Sequence, residues 1–459
     1  MKEKTKIIIG CLTTLCLTLV LLISVGRLLE LKDSRIKHED FFNQKEDFDV
    51  LFIGSSHVTN GVFPMELWNE YGIVSYNLGE PAAQIATTYW MLQNALEHTT
   101  PKVVVLDGLN IAGTYKGDRR SEFMHLAFDD LPFSKTKINT VEDILDDKEF
   151  KRDILTGKVQ TEGEVRSKIG YLWNYSIYHS RWNELSKKDF VVEKNIEKGA
   201  ESGMVVTQGS LDRISKKEIH KGEYVGEEYF RKIIEDCQNK GIEVLLTYLP
   251  STANEFYQKE SNMIYAIAEE YGVQYINFLD SNIVDYKTDM CDNSHLNVSG
   301  ARKVTNYLGN YLVSNYDLED HRTDEEYKQW REDAVVYEKF KTDTLKTEEN
   351  LLTYLMLLSA SDYDIIIEVD NTNIFKDKII LDMLKNLGVK SSEISELTTK
   401  IYIENSGEEV EIINSNDTKQ SEQSITITVE RDGVQIDKVK FEYQFNQEDT
   451  IGMVLANRY

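Results

Sequence analysis

The chain has 459 residues, with 52 Lys plus Arg against 78 Asp plus Glu and a formal net charge of −26 at pH 7. That excess of acid argues against a nucleic-acid partner, since no long Lys/Arg run supplies a segregated basic patch. Apolar residues at 41% exclude wholesale disorder, five prolines exclude a Pro-rich stalk, four cysteines exclude a disulfide-built fold, and the length predicts about two or three domains.

The first element is an uncharged run, Ile7 to Val25, which as a helix spans about 28 Å and so matches a bilayer core. Lys2, Lys4 and Lys6 precede it and Arg27 follows, which predicts a cytoplasmic N-terminus with the remainder outside. A cleaved signal would need A-x-A-type small residues around Ser24 to Arg27, which are missing, and although Ile8-Ile9-Gly10-Cys11 superficially resembles a lipobox, almost no hydrophobic region precedes it, so an uncleaved anchor is expected. Cys237 and Cys291 lie far downstream without zinc-site spacing, and two unpaired thiols are expected there, a bridge between them being a matter of geometry.

A polar, helical stalk is predicted from Leu28 to Glu46. Strands follow at Phe48–Ile53, Val74–Asn77, Val103–Leu106, Glu243–Tyr248 and Gln274–Phe278, each apolar or β-branched and bounded by Gly, Pro, Asn or Asp. Helices at Ala82–Leu96, Glu227–Asn239 and Ser299–Tyr311 fit between them, the second stopped by Gly241. The alternation is that of βαβ units. Between Ile111 and Glu223 the pattern gives way to a polar, aromatic-rich insertion of the kind that often shapes a substrate site. Within it, Arg181 and Trp182 could hold a sugar or carboxylate, or simply pack at the surface.

From Asp317 to Asn350 the chain is densely charged without a wide apolar face, which predicts a solvated connecting helix. Beyond it come a strand at Tyr363–Val369, a helix at Ile374–Leu387 stopped by Gly388, and strands at Ser424–Glu430 and Val434–Tyr443 joined through Asp432-Gly433, a tight-hairpin pair. The expected organisation is therefore an anchor (1–29), an α/β domain (30–316) with its insertion at about 111–223, a linker (317–350) and a smaller α+β accessory domain (351–459).

Chemistry concentrates at two places. The first strand runs into Gly54-Ser55-Ser56-His57, which sets a serine at the carboxyl end of a parallel strand, where open α/β sheets bind ligands. Asp292-Asn293-Ser294-His295 precedes the helix start Asn297-Val298-Ser299-Gly300, so one turn offers an imidazole and the carboxylate that would fix its tautomer. Each is weak alone, as ordinary turn chemistry or a helix cap with a surface histidine. A metal set of His57, Asp292 and His295 is the lesser reading, since no other ligand pair has zinc spacing and His57 is more simply a neighbour of the nucleophile.

In chain order Ser, Asp, His, these motifs resemble the SGNH, or GDSL-type, hydrolase superfamily. FIGSSH stands for the first block, Gly79 in Tyr76-Asn77-Leu78-Gly79 for the second, Gly108-Leu109-Asn110 after VVVLD for the third, and DNSH for the last. The resemblance covers roughly Phe48 to Leu312 and leaves the C-terminal domain outside. It implies a three-layer, flavodoxin-like α/β domain with Ser56 as nucleophile, His295 as base and Asp292 as its orienting partner. The oxyanion donors it implies are the backbone N–H groups of Ser56 and Gly79 and the side-chain amide of Asn110; it calls for no cofactor and no metal. Ser55 replaces the usual Asp of Gly-Asp-Ser, similar to the membrane-anchored branch that includes the lipoteichoic-acid D-alanylation and polysaccharide acetylation proteins.

The expected function is an outward-facing, membrane-anchored serine acyl-ester enzyme acting on an acylated glycan or small acyl ester. Its acyl-enzyme would pass the group to water, as an esterase, or to a surface polysaccharide together with a membrane-bound acyl-transfer protein. The acidic ectodomain favours a neutral glycan over an anionic polymer. The alternatives are a catalytically idle glycan-binding envelope protein, against which the joint presence of Ser56, Asp292 and His295 counts, and a metal-dependent phosphoester hydrolase.

Overall fold

Five short strands between residues 50 and 277 assemble into one parallel sheet, β1 (Val50–Ile53), β2 (Ser75–Asn77), β3 (Val103–Asp107), β4 (Glu243–Tyr248) and β5 (Gln274–Asn277), in the order β2-β1-β3-β4-β5. The computed structural model describes residues 2–459 except 31, 119, 146–167, 174, 192–193, 405–406, 408, 416–423 and 446–449, so part of the predicted insertion lies outside the described residues. The helices are numbered in chain order among those described. They begin with α1 (Lys2–Leu29), α2 (Lys32–Asn43), α3 (Ser56–Thr59), α4 (Pro64–Tyr71), α5 (Ile85–Ala95), α6 (Ser121–Phe128) and α7 (Lys135–Leu145). Next come α8 (Lys168–Leu172), α9 (Tyr175–Tyr178), α10 (Val225–Asn239), α11 (Glu255–Tyr271), α12 (Val298–Asn315), α13 (Lys328–Thr347), α14 (Leu351–Leu358) and α15 (Lys378–Asn386).

Alternate residues of each strand feed two separate cores, as the two-residue strand period requires. Val50, Phe52, Val103 and Val105 face α12 through Ala301, Val304 and Leu308. Leu51, Ile53, Val104 and Leu106 face α5, α10 and α11 through Leu92, Phe230, Ile233 and Ile264. The result is a helix–sheet–helix sandwich whose strand order reverses direction between β1 and β3, so the crevice for a ligand opens at the carboxyl ends of those two strands.

The C-terminal part forms a six-stranded antiparallel sheet, ordered β11-β10-β9-β6-β7-β8. Its members are β6 (Asp364–Val369), β7 (Thr398–Glu404), β8 (Glu409–Asn414), β9 (Ser424–Arg431), β10 (Val434–Phe445) and β11 (Thr450–Arg458). Asp432 and Gly433 both have positive φ, 54° and 74°, the backbone of a type I′ hairpin whose twist suits the two strands it joins. This sheet does not stand apart: Ile367, Ile427 and Phe441 share one continuous apolar core with Val50, Phe52, Val304 and Leu308, through Tyr354 and Leu358 of α14. Cys237 and Cys291 are free thiols.

Two helices expected to be solvated are packed. In the predicted stalk, α2 buries His38 and Phe41, and the Phe41 ring stacks on Phe48 at 5.0 Å and meets Tyr76 edge-on at 5.2 Å. In the predicted linker, α13 buries Trp330, Tyr337 and Leu345, a narrow stripe of large residues that the surrounding charge disguises. Lys198 lies between the two helices, its ammonium 3.2 Å from Asp40 and 2.9 Å from Asp333. Further along α13, Lys341 and Tyr337 reach the half-buried Glu66 of α4, with the Tyr337 hydroxyl donating at 3.1 Å.

α1 is long and apolar enough to cross a membrane, and its apolar window is wholly unburied by the rest of the chain. Because α2 is part of the fold, Phe41→Ala is expected to lower unfolding stability by about 3–5 kcal/mol, as removal of a fully buried aromatic ring does. Chemical denaturation of the two proteins measures it; a difference under about 1 kcal/mol would mean that α2 is an independent stalk.

Candidate active site

At the end of β1, Gly54 turns the chain into α3, a single helical turn. Ser55 is its N-cap and accepts the His57 N–H on its hydroxyl oxygen at 3.3 Å. An aspartate there would cap in the same way, which makes serine a chemically sound replacement. Ser56 is the first residue of the turn, so its backbone N–H has no intrahelical acceptor.

The Ser56 hydroxyl lies 2.8 Å from His295 Nε2, and His295 Nδ1 lies 2.9 Å and 3.1 Å from the two carboxylate oxygens of Asp292. Asp292 Oδ1 also accepts the backbone N–H groups of Ser294 at 2.7 Å and His295 at 2.9 Å. One carboxylate thus shapes the turn and aims the ring. Burial pushes the Asp292 carboxyl upward, but the bond to His295 and the two backbone donors outweigh it and hold the group below the usual carboxylate range. Asp292 is exposed and His295 half-buried.

Two fully buried side chains close the base of this loop. Asp289 accepts from the Asp285 N–H at 2.7 Å, the Ser299 hydroxyl at 2.8 Å, the Lys303 ammonium at 2.7 Å and the Asn386 amide at 3.1 Å. Asn297, the N-cap of α12, accepts the Gly300 N–H at 3.2 Å and donates to the Thr288 carbonyl at 2.8 Å. Between these anchors, Met290 pairs with Leu296 in an antiparallel bridge, and the Cys291 N–H donates to the His295 carbonyl at 2.8 Å.

The oxyanion side of the site differs from expectation at Gly79. Its N–H donates to Asn77 Oδ1 at 3.0 Å, and the same amide donates from Nδ2 to the carbonyls of Val58 and Val62 at 2.7 and 2.8 Å. A Cβ at Gly79 would fall 2.7 Å from both the Ser55 carbonyl oxygen and the Thr59 nitrogen. Gly79 is glycine because it packs against the Ser56 turn, and it lies outside the cavity. Ala82 lines that cavity with φ of 56°, and its N–H makes no hydrogen bond among the described residues. An alanine in the left-handed region carries no signal in a sequence, and reading the chain misses it.

Asn110 lines the cavity with φ of 70°, and its side-chain amide donates one hydrogen to the Ala83 carbonyl at 2.9 Å. Its loop is held from below by two buried carboxylates. Glu260 of α11 accepts the Ala112 N–H at 3.0 Å and the Asn110 N–H at 3.3 Å, while Asp107 accepts from Leu249 at 2.8 Å and Leu109 at 3.3 Å. Burial dominates for both and raises each carboxyl to about 7 despite these donors.

The cavity has a volume of about 990 Å³. Its wall is mostly amides and hydroxyls, among them Gln84, Gln208, Ser251, Asn254 and Tyr257, and its Arg120 is bonded to Asp118. Both ends of the predicted insertion therefore reach it, but Arg181 and Trp182 do not. Arg181 instead donates to the carbonyls of Leu29 and Glu30 and pairs with Asp189. His57 lines the cavity beside His295, edge-on at 5.7 Å between ring centres, and burial followed by the neighbouring imidazole pushes it down to about 3. Among the described residues no group of three or more His, Cys, Asp or Glu side chains is disposed to hold a metal ion.

Glu260 generates a pH signature. Its carboxyl, raised by burial from the ordinary 4.5 to about 7, holds its proton more tightly folded than unfolded. The stability this supplies is complete below the unfolded value and is lost as pH rises through the folded one. Wild type is therefore expected to lose melting temperature relative to Glu260→Gln between about pH 5 and pH 8, and a pH-independent difference would contradict the burial argument.

Compared with models of known protein families and with curated proteins, the sequence finds no match.

Proposed function

We propose that this chain is a membrane-anchored serine acyl-ester enzyme of the SGNH type. The observation that carries the reading is the unbroken run from Ser56 Oγ to His295 Nε2 at 2.8 Å and from His295 Nδ1 to Asp292 at 2.9 Å, at the mouth of a polar cavity. Ser56 attacks the acyl carbonyl carbon as His295 Nε2 takes its proton. The imidazolium that forms is stabilised by Asp292, which already holds Nδ1 as the donor. Charge accumulating on the former carbonyl oxygen meets the Ser56 N–H and, in this reading, the Ala82 N–H and the second amide hydrogen of Asn110. His295 then returns its proton to the leaving oxygen, and an acyl-Ser56 ester remains. A water or sugar hydroxyl, deprotonated by His295, releases the acyl group.

The amide- and hydroxyl-lined cavity supports an uncharged, hydroxyl-rich partner and a small acyl group, since it offers no long apolar channel and its Arg120 already has a carboxylate. It also supports the O-acyltransferase form of the same chemistry, in which an acceptor sugar occupies the cavity and a membrane-bound acyl-transfer protein supplies the donor. α1 supports an anchored protein, with the catalytic part outside if the flanking lysines face the cytoplasm.

A fluorophosphonate probe applied to the full-length protein in detergent tests the reading. Labelling is expected at Ser56, lost in Ser56→Ala and His295→Ala, and slowed on the order of 10²-fold in Asp292→Asn, less than for a buried triad carboxylate because solvent screens this exposed one. Absence of labelling in the folded wild type would favour the idle glycan-binding alternative. Acceleration of acyl release from a chromogenic acetate ester by neutral oligosaccharides, but not by matched monohydric alcohols, would select transfer over hydrolysis.

A further inference from the structure

α1 is bare over most of its length and then abruptly covered. Its residues through Leu21 are exposed, whereas Gly26, Leu29 and Glu30 are buried. The cover is a short stretch of the insertion that runs from α8 to Val191. A Cβ built at Gly26 would lie 3.4 Å from Tyr175 Cβ of α9, so the two backbones approach closely. The Arg181 guanidinium donates to the Leu29 carbonyl and, at 2.7 Å, to the Glu30 carbonyl, satisfying acceptors that the helix end leaves open, while Asp189 holds its other nitrogen at 2.9 Å. This stretch is consequently fixed at the level where the apolar helix ends.

The same stretch exposes large apolar side chains: Trp173 at 46%, Trp182 at 71%, Phe190 at 64% and Val191 at 47%. Trp182 directly follows the arginine that grips the helix end, Phe190 directly follows that arginine's aspartate, and the Trp173 ring lies 5.8 Å from Tyr175. Of the five tryptophans, Trp68 and Trp330 are core residues. Burying exposed rings elsewhere in this acidic surface would need a partner, but here one is defined by position. Tryptophan, with an apolar ring and a polar N–H, is favoured where hydrocarbon meets headgroups, and these rings stand where that boundary falls along α1.

We propose that the described residues of the stretch, 168–173 and 175–191, lie on the membrane surface beside α1, with Trp173, Trp182 and Phe190 seated at the headgroup–acyl boundary. The inference rests on the reading that α1 spans a bilayer and goes beyond it: the catalytic part is held at one height and tilt above the lipid rather than swinging on a tether. Only residues 30 and 31 separate α1 from α2, and α2 is packed into the fold.

The test uses the full-length chain reconstituted into phosphatidylcholine vesicles whose acyl chains are brominated near the headgroup, against unbrominated vesicles. α1 contains no tryptophan, so any quenching reports the folded part. Emission is expected to fall by up to about two-fifths, the share of two tryptophans in five, and Trp173→Phe/Trp182→Phe is expected to abolish the difference between the two lipids. Protein that floats with the vesicles and resists alkaline extraction but shows equal emission in both lipids would overturn the surface contact alone. Protein that fails to float would overturn the spanning reading and the contact with it. Quenching that persists in the double variant would also overturn the assignment to these rings.

Discussion

A buried carboxylate in the base of a loop is the constraint on which the arrangement of the site depends. Asp289 is wholly removed from water and would be costly there if unpaired, by several kcal/mol. Its five donors come from the loop itself, through the Asp285 N–H and the Thr288 hydroxyl, from α12 twice and from α15. Satisfying it forces those elements together and leaves the chain from Met290 to Leu296 a single short path over the top. Asp292 and His295 sit on that path, so their spacing is a consequence of the anchoring beneath them. Asn297 plays the complementary part by capping α12 while tying down the Thr288 and Met290 carbonyls of the loop.

The Ser56 turn is braced by the same means from the other side. Glu80 forms a parallel bridge with Ser55 and is itself buried, where burial would raise its carboxyl; Lys37 and His38 of α2 outweigh that and keep it below the usual range. His38 Nε2 lies 3.0 Å from Glu80 Oε1, and the Lys37 ammonium is bonded to the Gly79 carbonyl as well. The helix that follows the apolar α1 therefore touches the loop that supports Ser56. Charged groups in this protein serve as internal struts, while the cavity wall itself is largely uncharged.

Much of this is legible in the amino-acid sequence. The five parallel strands stand within two residues of where the sequence predicts them; β1, β3 and β4, buried on both faces, leave a nearly continuous apolar signature, while β2 and β5 are marked by their flanking turn residues. Ser56, Asp292 and His295 are visible as motifs, and the fold brings them within hydrogen-bond reach. The misses have definite causes. Gly79 reads as a donor because its glycine is conspicuous, but what requires glycine there is a 2.7 Å approach of backbone to backbone. Ala82, Asp289 and Glu260 give no warning: a left-handed alanine and acids on otherwise polar stretches look ordinary until their neighbours in space are known. α2 and α13 read as solvated because a few large aromatic residues bury well within a charged background. β8, with alternating acids in Glu-Val-Glu-Ile-Ile-Asn, is not anticipated, because an edge strand with no buried residue leaves no apolar signature.

The contact between Asn386 and Asp289 has a thermodynamic corollary. Asn386 ends α15, in the lobe built on the antiparallel sheet, and Arg302 of α12 donates to the Leu357 carbonyl of the same lobe at 2.8 Å. The base of the His295 loop and the far lobe are thus parts of one polar assembly, set on one shared core. If a molecule bound to the far lobe changes the affinity of the cavity for its own ligand, occupancy of the cavity changes that molecule's affinity by the same factor. Reciprocity of that kind needs no moving lid, and it gives the antiparallel sheet a bearing on the chemistry although it contributes no atom to the cavity.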